Sequence, residues 1–343
     1  MHREDTYHGG IVLLTDRAWP DDEIERRIIE GAGYGLVAGP ADPEPTEAIE
    51  QLVKDHDPVA IMTCWARVSA TAIRTPSRLG VVARMGVGLD NIDVSAATER
   101  GTAVTNVPDY CVEEVSDHAV GLILDWTRGI AAFDRHVHAG RWDPAGARLT
   151  RLRSKTVGVV GYGRIGRATV RKCAAFGCRV VVHSRTVHTE ADAEFVSWPN
   201  LLGLADVVVL HVPLTPDTRH LIGAPELAGM RDGALLVNVS RGGLVDTPAL
   251  IDALDAGHIG GAALDVLEAE PAVDPALLAH PNVVITPHVA FSSAESIAEL
   301  RAKAAEEVVR VLRGQTPHYP CNSPAARSDI RRVGNGRGDD VWW

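Results

Sequence analysis

"VGVVGYGRIG", residues 157–166, decides the fold. A β-branched apolar run ends in Gly161-x-Gly163-x-x-Gly166 and passes directly into a helical pattern. Glycine clusters alone are common in loops. The order strand, glycine loop, helix is the context that marks a dinucleotide-binding unit. Gly161 allows the tight turn, Gly163 lets backbone approach a pyrophosphate, and Gly166 lets the helix pack closely on the strand. The helix beginning at Arg164 and Ile165 offers free N–H groups and a positive dipole end to phosphates.

The next strand, "RVVVHS" (179–184), ends where such a unit places an acid for the adenosine ribose, roughly 20 residues on. Here the place reads Ser184-Arg185, and the nearest acids, Glu190 and Asp192, lie past the strand end. A carboxylate repels a 2′-phosphate; Ser184 does not, and Arg185 attracts one. NADP(H) is therefore the favoured cofactor. NAD(H) is the alternative if Ser184 and Arg185 merely face solvent.

Strand-like runs continue on both sides of this unit. Downstream come "DVVVLH" (206–211), "ALLVNV" (234–239), "GAALDV" (261–266) and "VVITPH" (283–288), separated by helical stretches. Upstream come "IVLLTD" (11–16), "VAIMTC" (59–64), "VVARMG" (81–86) and "TAVTNV" (102–107), with a capped helix at 21–33. This alternation indicates an α/β chain with two doubly wound parallel-sheet domains. Pro108 marks the boundary between them. A single amphipathic helix is expected over 113–138, from the helical spacing of Val115, Ala119, Leu122, Ile123 and Trp126. A last helix over 293–314 could return the chain to the first domain, and residues 323–343 lack periodicity and read as a disordered tail.

At 343 residues the chain has room for two domains, and 45% hydrophobic content can build their cores. A net charge of -11 argues against a nucleic-acid or membrane-surface binder. No apolar run approaches the roughly 18 residues of a membrane span, and the N-terminus lacks a signal-peptide core. Five scattered cysteines without a CxxC pair suggest free thiols and a cytoplasmic protein. The fourteen histidines show no metal-ligand spacing, so no metal is expected.

Three downstream segments each carry one chemically capable residue after the carboxyl end of a strand. Arg241 lies in "NVSRGGLVD", Glu270 in "LDVLEAEP" and His288 in "ITPHVAF". An open α/β sheet binds its ligand at the carboxyl ends of its strands. Reduction of a ketone needs a proton for the forming alkoxide, and an imidazole suits that task near neutral pH. Glu270 would orient the ring and favour its charged form. Arg241 would hold a substrate carboxylate in a planar fork.

The segments "ARMGVGLDNID" (83–93), "GVVGYGRIGR" (158–167), "HVPLTPDTRHLI" (211–222), "NVSRGGLVD" (238–246), "GAALDVLEAEP" (261–271) and "TPHVAFSS" (286–293) together resemble the D-isomer-specific 2-hydroxyacid dehydrogenases over about residues 11–322. "VPDYCVEEVSDHAVGLIL" and "PHVAFSSAES" look most like the branch related to the C-terminal-binding-protein corepressors. The resemblance implies a Rossmann cofactor domain (108–291) inserted into a discontinuous, flavodoxin-like substrate domain (1–107 and 292–322), and a homodimer formed through the cofactor domain. It implies that Arg241, Glu270 and His288 are the catalytic set. It implies that Val87 and Gly88 offer N–H groups to a substrate carboxylate and that Asp265 contacts the nicotinamide carboxamide. His211, Val212, Pro213, Thr218, Val239 and Ser240 are expected along the cofactor. Cys111 stands where corepressor relatives carry a phosphate-contacting Ser, and Phe291 where they carry a pocket-lining Trp. Trp65 and Arg67 could also face the cleft, Arg67 toward a second anionic group.

Two departures from the family pattern matter: the missing acid after the second strand, and Phe291-Ser292-Ser293 in place of Gly-x-Thr. The second makes substrate transfer from glycerate-type relatives unsafe. The expected activity is hydride transfer between a nicotinamide cofactor and a D-2-hydroxy acid/2-oxo acid pair. Reduction of a glyoxylate- or hydroxypyruvate-like acid is the default. A phosphite-type dehydrogenase and a dinucleotide-sensing, corepressor-like regulator are the alternatives.

Overall fold

The computed structural model describes residues 9–186 and 193–324. Glu190, Asp192 and the tail from 325 onward lie outside the described residues. The chain divides into two compact units, between Val107 and Pro108 and again between Glu299 and Leu300.

The first unit runs β1 (Ile11–Leu14), α1 (Glu23–Gly31), β2 (Gly35–Ala38), α2 (Thr46–His56), β3 (Ala60–Thr63), α3 (Ala70–Arg74), β4 (Val81–Arg84), α4 (Val94–Arg100) and β5 (Ala103–Thr105). Its strands form one parallel sheet in the order β2-β1-β3-β4-β5. This is the doubly wound order of flavodoxin-like units, with the reversal between β1 and β3. β3 and β4 are buried at every position, as strands covered on both faces must be. β2 is an element that the sequence reading passed over.

The second unit runs α5 (Val112–Arg128), α6 (Ile130–His138), β6 (Thr156–Val160), α7 (Arg164–Ala175), β7 (Arg179–His183), β8 (Glu194–Phe195), α8 (Trp198–Leu204), β9 (Val207–Leu210), α9 (Ala224–Gly229), β10 (Ala234–Asn238), α10 (Thr247–Asp255), β11 (Ile259–Leu264), α11 (Pro275–Ala279) and β12 (Val283–Ile285). The parallel order is β12-β11-β10-β9-β6-β7-β8. The chain leaves β6 for β7 on one side and later returns to β9 on the other. The switch point therefore lies at the carboxyl end of β6, where Gly161 stands. The core gathers Val160, Val181, Leu201, Val208, Leu210, Leu236 and Leu264. α12 (Ala294–Leu312) carries the division between the units within its length.

The single helix expected over 113–138 is two helices. Gly129 adopts the left-handed conformation (φ 62°, ψ 31°), and α6 starts immediately after it. The Asp125 carboxylate accepts the Ala131 N–H at 2.6 Å, which caps the new helix. Apolar periodicity survives the break, so the pattern alone did not reveal it. A Cβ at position 129 would lie 2.9 Å from the Phe133 ring in a conformation other residues rarely adopt.

Candidate active site

The glycine loop is shaped by close approach. Gly161 has φ 97°, and a Cβ there would lie 2.3 Å from the His211 carbonyl oxygen. A Cβ on Gly166 would lie 2.2 Å from the Gly161 carbonyl oxygen. Gly163 begins α7 with no side-chain cap, and nothing stands within 4 Å of where its Cβ would be. The result is an uncapped helix N-terminus facing open space, which fits a pyrophosphate. Gly161, Gly163, Arg164, Ile165 and Gly166 would hold it. Ser184 directly follows β7, and Arg185 is exposed.

Several expected cofactor residues have other employment for their side chains. His211 hydrogen-bonds the Thr169 hydroxyl on α7 at 2.9 Å. Burial lowers its imidazole from 6.5 to about 4, so the ring stays neutral. It ties α7 to the end of β9 beneath the glycine loop. The Thr218 hydroxyl donates to the Pro213 carbonyl at 2.7 Å and accepts the Thr215 N–H at 2.8 Å, closing the 213–218 turn. Cys111 is buried at the start of α5, and burial pushes its thiol up to about 12 against the opposing pull of Tyr110 and Arg241. A neutral thiol there is at most a weak donor.

The three strand-end residues converge. His288 Nδ1 lies 2.8 Å from Glu270 Oε2. A carboxylate oxygen only accepts, so Nδ1 carries the proton and Nε2 is left as the working nitrogen. The other oxygen, Glu270 Oε1, accepts the Leu267 N–H at 2.8 Å. Burial pushes the Glu270 carboxyl up. The bonds from His288 and Leu267 and the charges of His288 and Arg241 outweigh that, and hold it below the ordinary range. Arg241 follows β10 in extended backbone, with its carbonyl accepting from the Asn238 amide at 2.8 Å and its guanidinium donating to the Ser240 carbonyl at 2.8 Å. A Cβ on Gly242 would lie 1.9 Å from the Leu267 carbonyl. The turn of Arg241 and the loop of Glu270 are thus in backbone contact. Val239 is buried, and the Ser240 hydroxyl donates to the Leu210 carbonyl at 2.7 Å.

His288 itself sits at φ 53°. Its N–H goes to the Asp265 carbonyl at 2.8 Å. The buried Asp265 carboxylate accepts the N–H groups of Val289 (3.0 Å) and Ala290 (2.9 Å). Asp265 therefore grips the segment that carries the imidazole. Phe291 meets His288 edge to face at 6.2 Å and Tyr110 at 6.3 Å. Ser293 hydrogen-bonds Glu114 at 2.7 Å and caps α12 together with Ser296. Asn238, Tyr110, Ser293 and the anchoring role of Asp265 escaped the sequence reading. A polar residue closing an otherwise apolar buried strand, as at Asn238, was the available clue.

In the first unit, Val87 is exposed, and its carbonyl accepts from the Asn106 amide at 2.7 Å. Gly88 follows in the same loop. The fully buried Asp16 carboxylate accepts the N–H groups of Cys64 (3.0 Å), Trp65 (2.5 Å) and Ala66 (3.0 Å), shaping the loop that ends in the exposed Arg67. The Trp65 ring lies under the Arg84 guanidinium at 5.9 Å. Among the described residues no cluster of His, Cys, Asp and Glu is arranged to hold a metal, and no helix is long and apolar enough to cross a membrane.

Comparison with known proteins accords with this geometry. Residues 120–290 match the model of the D-isomer specific 2-hydroxyacid dehydrogenase NAD binding domain. A D-3-phosphoglycerate dehydrogenase of Methanocaldococcus jannaschii is 39% identical over 91% of this chain, which spans only 59% of that relative's length. A glyoxylate reductase of Pyrococcus furiosus is 39% identical over 84% of this chain and 89% of its own. Among solved structures, an NADPH-dependent glyoxylate/hydroxypyruvate reductase of Sinorhizobium meliloti, in complex with NADP and malonate, superposes with a TM-score of 0.80. Its identity is 32%, over 91% of this chain and 96% of that one. With a family model matched over residues 120–290 and 39% identity covering 84% of this chain and 89% of the P. furiosus relative, the chain belongs to the D-isomer specific 2-hydroxyacid dehydrogenase family.

Proposed function

We propose that this protein reduces a small 2-oxo acid of the glyoxylate or hydroxypyruvate kind to its D-2-hydroxy acid, with NADP(H) preferred over NAD(H). The reading is carried by the hydrogen-bonded His288–Glu270 pair at 2.8 Å, with Arg241 close enough for its charge to act on Glu270. The nicotinamide, when bound, supplies a hydride to the carbonyl carbon. Arg241 holds the substrate carboxylate. His288 Nε2 delivers the proton to the forming alkoxide. Glu270 keeps Nδ1 protonated and offsets the charge that the ring carries before transfer. Phe291 stands edge-on to the imidazole and limits the side chain that fits. The S. meliloti and P. furiosus relatives, named for these substrates, support the assignment.

Support for NADP(H) comes from Ser184-Arg185 after β7, which place a hydroxyl and a guanidinium where an acid would repel a 2′-phosphate. NADPH then binds more tightly than NADH, and Arg185→Ala weakens NADPH selectively; equal loss for both cofactors defeats that choice. We also assign a homodimer through the second unit. Ile130, Val137, Trp142 and Leu149 are exposed on α6 and the segment after it, Trp142 at 83%. Trp142→Glu would then shift sedimentation toward the monomer. The five free thiols suit the cytoplasm.

The deciding experiment is turnover of NADPH and NADH across a panel of 2-oxo acids, with His288→Asn as control. The variant should lose turnover and keep cofactor binding. A protein that binds the dinucleotide but never oxidises it is a sensor of the kind found in the corepressor branch. Reduction of the cofactor by phosphite would give the family's third chemistry.

A further inference from the structure

The carboxylate that grips the His288 segment is itself tied to a helix. Asp265 Oδ1 accepts the Thr286 hydroxyl at 2.5 Å, in addition to the Val289 N–H. His118, on α5, places Nε2 3.0 Å from the same Thr286 oxygen and 3.6 Å from Asp265 Oδ1. The direction of each bond follows from what the atoms can do. The oxygens of Asp265 already accept two backbone N–H groups. The Thr286 hydroxyl has one proton and spends it on Asp265. That hydroxyl can only accept from His118, so Nε2 of His118 carries a hydrogen.

α5 is a rigid base for such a donor. It is 17 residues long, and Val115, Ala119, Leu122 and Ile123 bury one of its faces. His118 lies three residues after Val115 and four before Leu122, so its ring is held against the same face. A path of hydrogen bonds then runs from a packed helix through Thr286 and Asp265 to the N–H groups on the carboxyl side of His288. The backbone of His288 has a positive φ, a conformation that persists only when its surroundings fix it.

We propose that His118 is a positioning residue for the proton-donating imidazole: through its Nε2–H, the Thr286 hydroxyl and the Asp265 carboxylate, it fixes the 286–290 segment on α5. This rests on the reductase reading above. A histidine that merely fills space at the edge of the core would tolerate an apolar replacement. A donor in a bonded chain does not, and its amide mimic rescues it.

The test compares His118→Leu with His118→Gln in the full-length protein. His118→Leu should lower kcat by about tenfold or more, with KM for the nicotinamide cofactor within about twofold of the parent, because the glycine loop is untouched. His118→Gln keeps an N–H donor and should recover to within about threefold of the parent. A leucine variant within about twofold of the parent kcat overturns the proposal. So does a glutamine variant as impaired as the leucine one, since packing alone would then explain the loss. Should the leucine variant fail to fold, nitrogen NMR of the parent protein labelled at histidine decides instead. Nε2 of His118 must bear a proton at the assay pH, and a bare Nε2 overturns the proposal. A parent protein that turns over no 2-oxo acid would defeat the reductase reading, and the nitrogen spectrum would still judge His118.

Discussion

Replacing Glu270 with Gln tests the central pair. Both carboxylate oxygens are acceptors, Oε1 for the Leu267 N–H and Oε2 for His288 Nδ1, each at 2.8 Å. A glutamine amide has one acceptor oxygen and one donor nitrogen, so the two bonds cannot both survive. If the oxygen serves Leu267, the NH2 faces Nδ1 and strips it of its proton. The ring is then a neutral Nε2–H tautomer and a weaker acid. If the oxygen serves His288, the Leu267 N–H loses its partner at a cost of roughly 1–3 kcal/mol, and the remaining bond is no longer charge-assisted. Either way about 1.5–3 kcal/mol of support for the charged ring is lost. At 1.36 kcal/mol per tenfold, that is roughly a 10- to 150-fold fall in kcat. The assay is steady-state loss of reduced-nicotinamide absorbance with the best 2-oxo acid, with KM for the cofactor measured in parallel. The cofactor KM should stay within about twofold, since the glycine loop is unaffected. A variant with kcat within about twofold of the parent would refute the reasoning, because it would mean that the Nδ1 contact does not govern the acid.

Other outcomes concern the frame around this pair. The His211 ring is desolvated and neutral, at about 4 against an ordinary 6.5. The unfolded chain therefore takes up the proton first. Stability is intact above 6.5 and drains as the pH falls toward 4, by about 3 kcal/mol in all. Urea unfolding across that window should show the slope in the parent and a flatter one in His211→Gln; equal slopes would remove His211 as the cause. Gly129→Ala forces a left-handed residue against the Phe133 ring and should cost about 1–2 kcal/mol in chemical denaturation. Arg301 bonds the fully buried Glu25 at 2.8–2.9 Å and lies over Trp19 at 5.4 Å. Arg301→Leu strands that carboxylate and should cost about 3–5 kcal/mol, and adding Glu25→Leu should recover much of it. A single-variant cost under about 1 kcal/mol would contradict this account.

The fold of the second unit and its candidate site were legible in the sequence because their residues stand in local order. Gly161, Gly163 and Gly166 follow a strand and open a helix, and Arg241, Glu270 and His288 each follow the end of a strand. Nothing distant is needed to see them. What escaped depends on distant partners. Asp265 was read only for a nicotinamide contact, and its grip on Val289 and Ala290 exists only once β11 and β12 are paired. Asp16 organises Cys64, Trp65 and Ala66 about 50 residues away. β2 is four residues long and lies between glycines at 33 and 39, so its apolar run was too short to stand out. The break at Gly129 was hidden because the 3.6-residue pattern runs through it.

The first unit begins with β1 and closes only at the far end of the chain. The α12 residues Leu300, Ala304, Ala305 and Val308 are buried in it. Beyond them the buried Glu307 carboxylate accepts the His318 N–H, and the Cys321 N–H reaches the Val104 carbonyl in β5. The Asn322 side chain accepts the Val104 N–H at 2.8 Å. During synthesis on the ribosome, the sheet made first therefore waits, with its flank uncovered, until residue 322 has emerged. The cofactor-binding unit is complete some twenty residues sooner. Translation thus imposes an order in which the half begun second is finished first, and the unfinished half is where a nascent-chain chaperone would have its longest hold.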